Sequence, residues 1–239
     1  MEKIIVVVPT YNEKENISEL ISKIFSQPIP GLELILIDDG SPDGTAQIIK
    51  ELSQKYPIKI VERPRLSGLG SAYRLGFKLA LQNGADFVLQ MDADLSHNPG
   101  DLPELLNACR EGADLSIGSR KINGGKIIGW NWRRQLMSNG AMWFSRLVLG
   151  LKTRDVTSGF RCFKRAALEK INPETIQSNG YAFQEEIVYR AERLGLKITE
   201  VPIVFVDRRH GRSKLNKKTI LEFFWIIFKL KWQSKKNPV

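Results

Sequence analysis

Cysteine and histidine are scarce in this chain, two of each, and that scarcity removes several chemistries at once. Cys109 and Cys162 show neither a CxxC nor a Cys/His metal spacing, so a zinc module is not indicated and both are expected to be reduced thiols of the core. No stretch approaches the ~20 apolar residues that span a bilayer. The N-terminus runs straight into "EKIIVVVP" and lacks the basic start, long apolar region and small-residue cleavage site of a signal peptide. These absences predict a protein made and kept in the cytoplasm. Internal repeats, low-complexity tracts and long linkers are also missing. The first strand is followed by neither GxGxxG nor GxxxxGK[ST], which argues against a dinucleotide-binding Rossmann fold and a P-loop. "SGLGSAYRLG" carries Gly68 and Gly70, but its third glycine position is Tyr73 and no strand ends just before it, so it reads as a turn capping the next helix.

What is present is an ordinary globular composition, 42% hydrophobic and 26% charged over 239 residues, enough for a sizeable core. The net charge of +10 is uneven: ten Lys/Arg face one acid, Glu222, between Arg208 and Val239. A segment so basic predicts an anionic partner, either a phosphate group, nucleic acid or an acidic membrane surface.

Apolar β-rich runs alternate with helical patterns through the first half. Strands are predicted at Ile4–Val8, Leu34–Ile37, Ile58–Val61, Phe87–Met91 and Asp114–Ile117, with helices near Glu13–Ser26, Thr45–Lys55, Ser71–Asn83 and Asp101–Arg110. That alternation predicts an α/β protein with a mostly parallel sheet covered on both faces. Ligands of such sheets bind at the carboxyl ends of the strands, which brings "PTYNE", "DDGSPDGT" and "MDADLSH" together. After Gly118 the pattern weakens. "INGGKIIG" reads as a loop, "RRQLMSNGAMWFSRLVLG" as a helix, "VTSGFRCFK" as a short strand, "AFQEEIVYRAERLG" as a helix and "KITEVPIVFV" as a strand.

Acids dominate those strand ends. Of Asp38 and Asp39, one can accept a hydrogen bond from a base or ribose while the other secures the loop; Ser41 or Asp43 is a ready helix cap. In an extended segment residues i and i+2 face one side, so Asp92 and Asp94 can share one ion. Hard oxygen ligands without clustered His or Cys favour Mg²⁺ or Mn²⁺, cations that also bind substrate phosphates. A bridge from this acid pair to a diphosphate is the predicted chemistry. His97 reads as a loop hydrogen-bonder, His210 as part of a basic loop able to cover substrate, and Gln184, Glu185 and Glu186 as the acid-rich start of a helix.

In order and spacing, "VVVPTYNE", "IDDGSPDGT", "QMDADLSHNP", "GSR", "TSGFRCF" and "VDRRHGRSK" resemble the dolichyl-phosphate mannosyltransferase family across residues 3–215. The resemblance implies an inverting glycosyltransferase of GT-A fold that moves a sugar from a nucleotide-diphosphate donor to a polyprenyl phosphate. It implies a catalytic domain over 1–215, with a nucleotide half to about residue 119 and an acceptor half over 120–215. By position it assigns nucleotide contacts to Pro9, Tyr11, Glu13, Ile37, Asp39 and Ala93, and the metal and diphosphate to Asp92 and Asp94. Arg120, Arg208 and Lys214 fall to phosphate-bearing ligands, with Arg120 catalytic alongside the two acids. Arg134 and Ser138 fall where relatives bind the acceptor phosphate, a site Arg120 and Arg208 also serve. Some relatives place a Gln metal ligand where this chain has Ser96. GDP-mannose is the family's commonest donor, and close relatives use UDP-glucose or other UDP-sugars. A hydroxyl acceptor, a nucleotidyltransferase activity and a non-catalytic RNA- or membrane-binding role fit the motifs less well.

Residues 216–239 form the remaining segment. As a helix, Lys217–Trp232 would be ~24 Å long, short of a ~30 Å hydrocarbon core. Phe223–Phe228 is continuously apolar and flanked by lysines, which predicts docking on the cytoplasmic face of a membrane; packing of Phe223, Phe224 and Ile227 on the protein's own core is the alternative. A small membrane-anchoring subunit or a second copy of the chain is a further possible partner, and nucleic acid is not expected.

Overall fold

A computed structural model describes residues 1–180, 182–208 and 217–236, with side chains in the last segment described for residues 223–232. Its first strand, β1 (Ile4–Thr10), explains the architecture. Ile5 and Val7 enter one hydrophobic cluster and Ile4, Val6 and Val8 another, so both faces of the strand are buried. Only a central strand with helices on either side reads as an uninterrupted apolar run.

The elements that follow are α1 (Ile17–Phe25), β2 (Leu32–Asp38), α2 (Thr45–Leu52), β3 (Ile58–Glu62), α3 (Leu69–Gln82) and β4 (Phe87–Gln90). Then come α4 (Leu102–Arg110), β5 (Leu115–Ser119), β6 (Lys126–Ile128), α5 (Trp132–Leu149), β7 (Arg161–Lys164), α6 (Arg165–Ile171), α7 (Ala182–Arg193), β8 (Ile198–Pro202), β9 (Val204–Val206) and α8 (Lys217–Lys236). The main sheet has seven strands in the order β3-β2-β1-β4-β7-β5-β8. All its pairings are parallel except those of β7, which runs antiparallel to both neighbours.

Strand order reverses between β1 and β4, and such switch points open a crevice at the carboxyl ends. Because β7 is reversed, its first residue lies at that same edge: Arg161 pairs with Gln90 of β4 and with Ile117 of β5. The segment preceding β7 is thereby delivered to the crevice. Helix α3 lies close under β1, where a Cβ on Gly76 would be 2.2 Å from a Val7 methyl.

The second half differs from the sequence expectation in three places. "INGGKIIG" contains β6, which pairs with β9 in a separate two-stranded sheet. "KITEVPIVFV" is two strands, since Ile198–Pro202 pairs with β5 and Val204–Val206 with β6. α6 follows directly on β7 where no helix is expected. For β6 and for the β8–β9 division the deciding partner is remote in sequence, and glycines or a proline mask the local signal.

Helix α8 joins the core through Ile226, Ile227 and Leu230, all buried. Its Phe224 and Phe228 meet Phe144 of α5 edge-on. Part of the predicted docking segment is therefore structural. Trp225 and Trp232 remain 61% and 66% exposed. No helix among the described residues is long and apolar enough to cross a membrane.

Candidate active site

The loops after β1 and β2 are stitched together before any ligand is considered. Asn12 N–H donates to Ser41 Oγ, Glu13 N–H to Thr45 Oγ1 and Lys14 N–H to Asp43 Oδ2, at 3.0, 3.0 and 3.1 Å. Asp43 also accepts from Thr45 N–H and its hydroxyl. Burial works to raise its carboxyl, yet those hydrogen bonds hold it below the usual carboxylate range. Asp38 secures the loop, accepting from Thr10 Oγ1, Ser41 N–H and Ser41 Oγ. Asp39 is buried and accepts from the Arg63 guanidinium and from Ser67 N–H. That ion pair ties the loop after β2 to the entry of α3, and sequence reading did not find Arg63. Pro9, Tyr11 and Glu13 line the same edge half-exposed, and Ile37 is fully buried beneath it.

The acid pair lies one strand over. β4 ends at Gln90, and the chain bends over residues 93–95, so Asp94 does not lie in the extended segment expected. The cause is local: Asp94 Oδ1 accepts from Ser96 N–H at 3.1 Å and Ser96 Oγ at 2.5 Å, with Leu95 at φ +59°. Ser96 thus braces Asp94, while Ala93 between the two acids is buried. Asp92 Oδ1 accepts from the Tyr73 hydroxyl at 2.8 Å, the residue occupying the third glycine position of the discarded phosphate-loop motif. Burial pushes the Asp92 carboxyl above its ordinary value, and the charge of Asp94 adds to the shift.

Gly159, delivered by the reversed β7, leaves space here: a Cβ would lie 3.2 Å from Asp92 Oδ2. Among the described residues no third acid, His or Cys completes a metal cluster. The donor set, two hard carboxylates with room beside Asp92, fits Mg²⁺ or Mn²⁺ whose remaining positions go to water and diphosphate. His97 does not join them. It is buried, stacks on Phe160 at 5.0 Å, leaves Nδ1 without a partner, and burial pushes its pKa down.

Two of the predicted phosphate-binding residues, Arg120 and Arg134, converge on Trp130. Arg120 Cζ lies 5.9 Å and Arg134 Cζ 4.2 Å from its ring centre. Arg120 is almost fully buried, with Nε and Nη2 donating to Asp155 at 2.8 and 2.7 Å. Burial alone would raise the Asp155 carboxyl, but the hydrogen bonds and charge of Arg120 outweigh it and hold it below 3.8. Arg134, at the start of α5, donates through Nη1 to Asp207 at 2.8 Å. Ser138 follows one turn later, half-buried. Arg208 Nη2 is 3.5 Å from Asp94 Oδ2, linking this cluster to the acid pair. Lys214 and His210 lie outside the described residues.

Beneath the acids, Gln184 Oε1 accepts from Gln90 Nε2 at 2.8 Å. Arg161 is fully buried, and burial pushes its guanidinium down to about 9. Glu185 turns away toward α5, where Oε1 accepts from Ser145 Oγ at 3.1 Å and Oε2 has no partner. Burial raises its carboxyl from 4.5 to about 8, so in the folded protein it is a neutral strut and not a base. The unfolded chain releases that proton above about 4.5, so wild-type stability is expected to fall between pH 5 and pH 8. Glu185→Gln should remove that loss and be the more stable protein at pH 8 by a few kcal/mol. Urea melts of both at the two pH values check this, and parallel pH dependences would refute it.

With this geometry in view, residues 5–172 match the family model for glycosyl transferase family 2. The chain belongs to that family. This glycosyltransferase is 40% identical over 223 residues to a polyprenol monophosphomannose synthase of Mycolicibacterium smegmatis, covering 92% of this chain and 84% of that protein. It is also 40% identical over 238 residues to a dolichol-phosphate mannosyltransferase of Pyrococcus furiosus, covering 97% of this chain and 65% of that longer protein. Its fold is shared with a glucosyl-3-phosphoglycerate synthase from Mycobacterium tuberculosis, solved with Mn²⁺, UDP-glucose and phosphoglyceric acid. That match has TM-score 0.71 and 21% identity, and covers 96% of this chain and 80% of the other. The family 2 glycosyltransferase thus carries the α/β fold that its sequence predicted.

Proposed function

We propose that this glycosyltransferase moves mannose from GDP-mannose to the phosphate of a polyprenyl phosphate with inversion, giving a β-linked product and GDP. The observation that carries the reading is the pair Arg120 and Arg134 on one tryptophan, beside a strand-end acid pair. A phosphate monoester is already anionic at neutral pH, so it attacks without a general base and needs only positioning against a second anion. Guanidinium groups grip phosphate oxygens in a forked geometry suited to that task. The attacking phosphate oxygen bonds to the anomeric carbon as the bond to the diphosphate oxygen breaks on the opposite face. Asp92 and Asp94 would hold Mg²⁺ or Mn²⁺, which when bound neutralises charge on the leaving diphosphate. Arg208, within reach of Asp94, would share that charge.

The test is a donor screen, GDP-mannose against UDP-glucose and other UDP-sugars, with a short-chain polyprenyl phosphate and identification of the product. Arg134→Ala and Ser138→Ala should raise the KM for the lipid phosphate about tenfold or more, while GDP affinity by calorimetry stays unchanged. Collapse of GDP binding with normal acceptor dependence would mean that the two sites are assigned the wrong way round.

Trp225 and Trp232 on α8 and Trp132 and Leu136 on α5 are all more than 60% exposed. These amphipathic side chains, with the neighbouring lysines, support docking at a bilayer interface, where a polyprenyl phosphate presents its headgroup. Trp225→Ser combined with Trp232→Ser should sharply lower sedimentation with phosphatidylcholine vesicles while the melting temperature is kept. Undiminished sedimentation would instead favour a partner subunit or a second copy of the chain on this face.

A further inference from the structure

A second cationic feature lies beside the arginine cluster. A surface cavity of about 160 Å³ opens between α5 and the segments that follow β5 and α5, lined by Lys121, Asn139, Met142, Trp143, Arg146 and Arg154. Three of these residues are cations and none is an acid. The nearby acids are committed elsewhere: Glu200 accepts from the backbone N–H groups of Arg154 and Asp155, and Glu192 from those of Lys152 and Thr153. Asp155 is occupied by Arg120. Among the described residues, Lys121, Arg146 and Arg154 form no ion pair within 4.0 Å.

The cations also lack adequate neutral partners. Lys121 Nζ donates to the neutral Asn139 Oδ1 at 2.7 Å, and the charge of Asp155 offsets only part of what burial and Arg120 impose on it. Burial, and then the charge of Arg120, push its pKa down. Arg146 Nε is buried with no partner. Grouping three cations around one cavity is unfavourable in isolation, and a bound anion would remove the repulsion and satisfy the idle donors. Helical spacing keeps the cavity apart from the acceptor residues. Asn139, Trp143 and Arg146 lie roughly 80° or more around the helix from Arg134 and Ser138, while Met142, four residues after Ser138, sits between the two faces. Trp143 and Leu147, 65% and 64% exposed, give α5 an apolar border there.

We propose that this cavity binds a phosphate group belonging to neither substrate, supplied by an anionic lipid headgroup or by free phosphate, with Lys121, Arg146 and Arg154 as its donors. Binding there would fix the orientation of α5, the helix that carries Arg134.

The experiment uses the full chain, the double variant Arg146→Gln/Arg154→Gln, and a charge-matched control, Lys55→Gln/Lys59→Gln. Sedimentation is read with phosphatidylcholine vesicles with and without phosphatidylglycerol, and calorimetry with inorganic phosphate. Wild type should prefer the phosphatidylglycerol vesicles, and the double variant should lose about tenfold of that affinity while the control keeps it. Phosphate heat seen in wild type and lost in the double variant identifies free phosphate as the source. A silent phosphate titration beside a phosphatidylglycerol-specific loss identifies a lipid headgroup. If the double variant melts early, Arg154→Gln alone, at an exposed position, should show a smaller loss of the same kind. The proposal is overturned if wild type responds to neither probe, if the variants bind as wild type does, or if the control loses as much as the double variant.

Discussion

Asp94→Ala is expected to lower sugar transfer by ~10²-fold or more while the protein stays folded. Asp94 is buried, but its hydrogen bonds go to Ser96 two residues away, and Arg208 approaches only to 3.5 Å. The substitution breaks one bend and one long, partly exposed contact with Arg208, so its stability cost should be about 1 kcal/mol. Function is expected to lose far more, because on the proposed mechanism one of the two carboxylates that would hold the metal disappears and the leaving diphosphate keeps its charge. Initial rates over a Mn²⁺ titration, with a thermal melt of the same sample, separate the two effects. Metal-dependent turnover within tenfold of wild type in a folded variant would remove Asp94 from the site.

Asp155→Ala should act in the opposite proportion. Its side chain is fully buried and that of Arg120 nearly so. Removing the acid leaves a guanidinium without its counter-charge in the interior, a change that typically costs ~3–5 kcal/mol. The Asp155 carboxyl is held below 3.8 in the folded protein, so this stabilisation is complete at neutral pH. It is lost only as pH falls through the lowered value. The variant should therefore melt earlier at pH 7 and show a weaker further loss on acidification. Transfer should fall too, since Arg120 is freed to leave Trp130. A melting change worth under ~1 kcal/mol at pH 7 would show that the pair is not formed in solution.

The features visible in the sequence were those written in neighbouring residues. β1, β2 and β4 are continuous apolar runs, and the rule that ligands gather at strand ends placed Pro9, Asp39, Asp92 and Asp94 along one edge. Arg134 and Ser138 came from the family resemblance, and their one-turn spacing added only that they share a helix face. Asp155 was missed because "TRDVTSG" has no periodicity; its role comes from a chain reversal that only sheet pairing defines. Tyr73 and Arg63 were passed over for a similar reason, since each acts on an acid reached across the crevice. The bend at Asp94 was misjudged because a serine two residues on outcompetes the extended backbone. α8 mixes both readings: Ile226, Ile227 and Leu230 belong to the core, and its outer tryptophans do not.

The antiparallel pairing of β5 with β7 has a consequence for how this enzyme could diversify. Ile117 pairs with Arg161, and Gly118 N–H donates to Phe160 C=O at 2.8 Å. Everything from Arg120 to Phe160, including α5 and both sides of the basic cavity, leaves and re-enters the sheet at one point, like a very long hairpin. The entropy of closing such an excursion grows only slowly with its length. It can be lengthened, shortened or exchanged while β1, β2 and β4 keep their register. A chimera carrying another family member's excursion between Ser119 and Arg161 would test how far acceptor choice resides in this stretch and donor choice outside it.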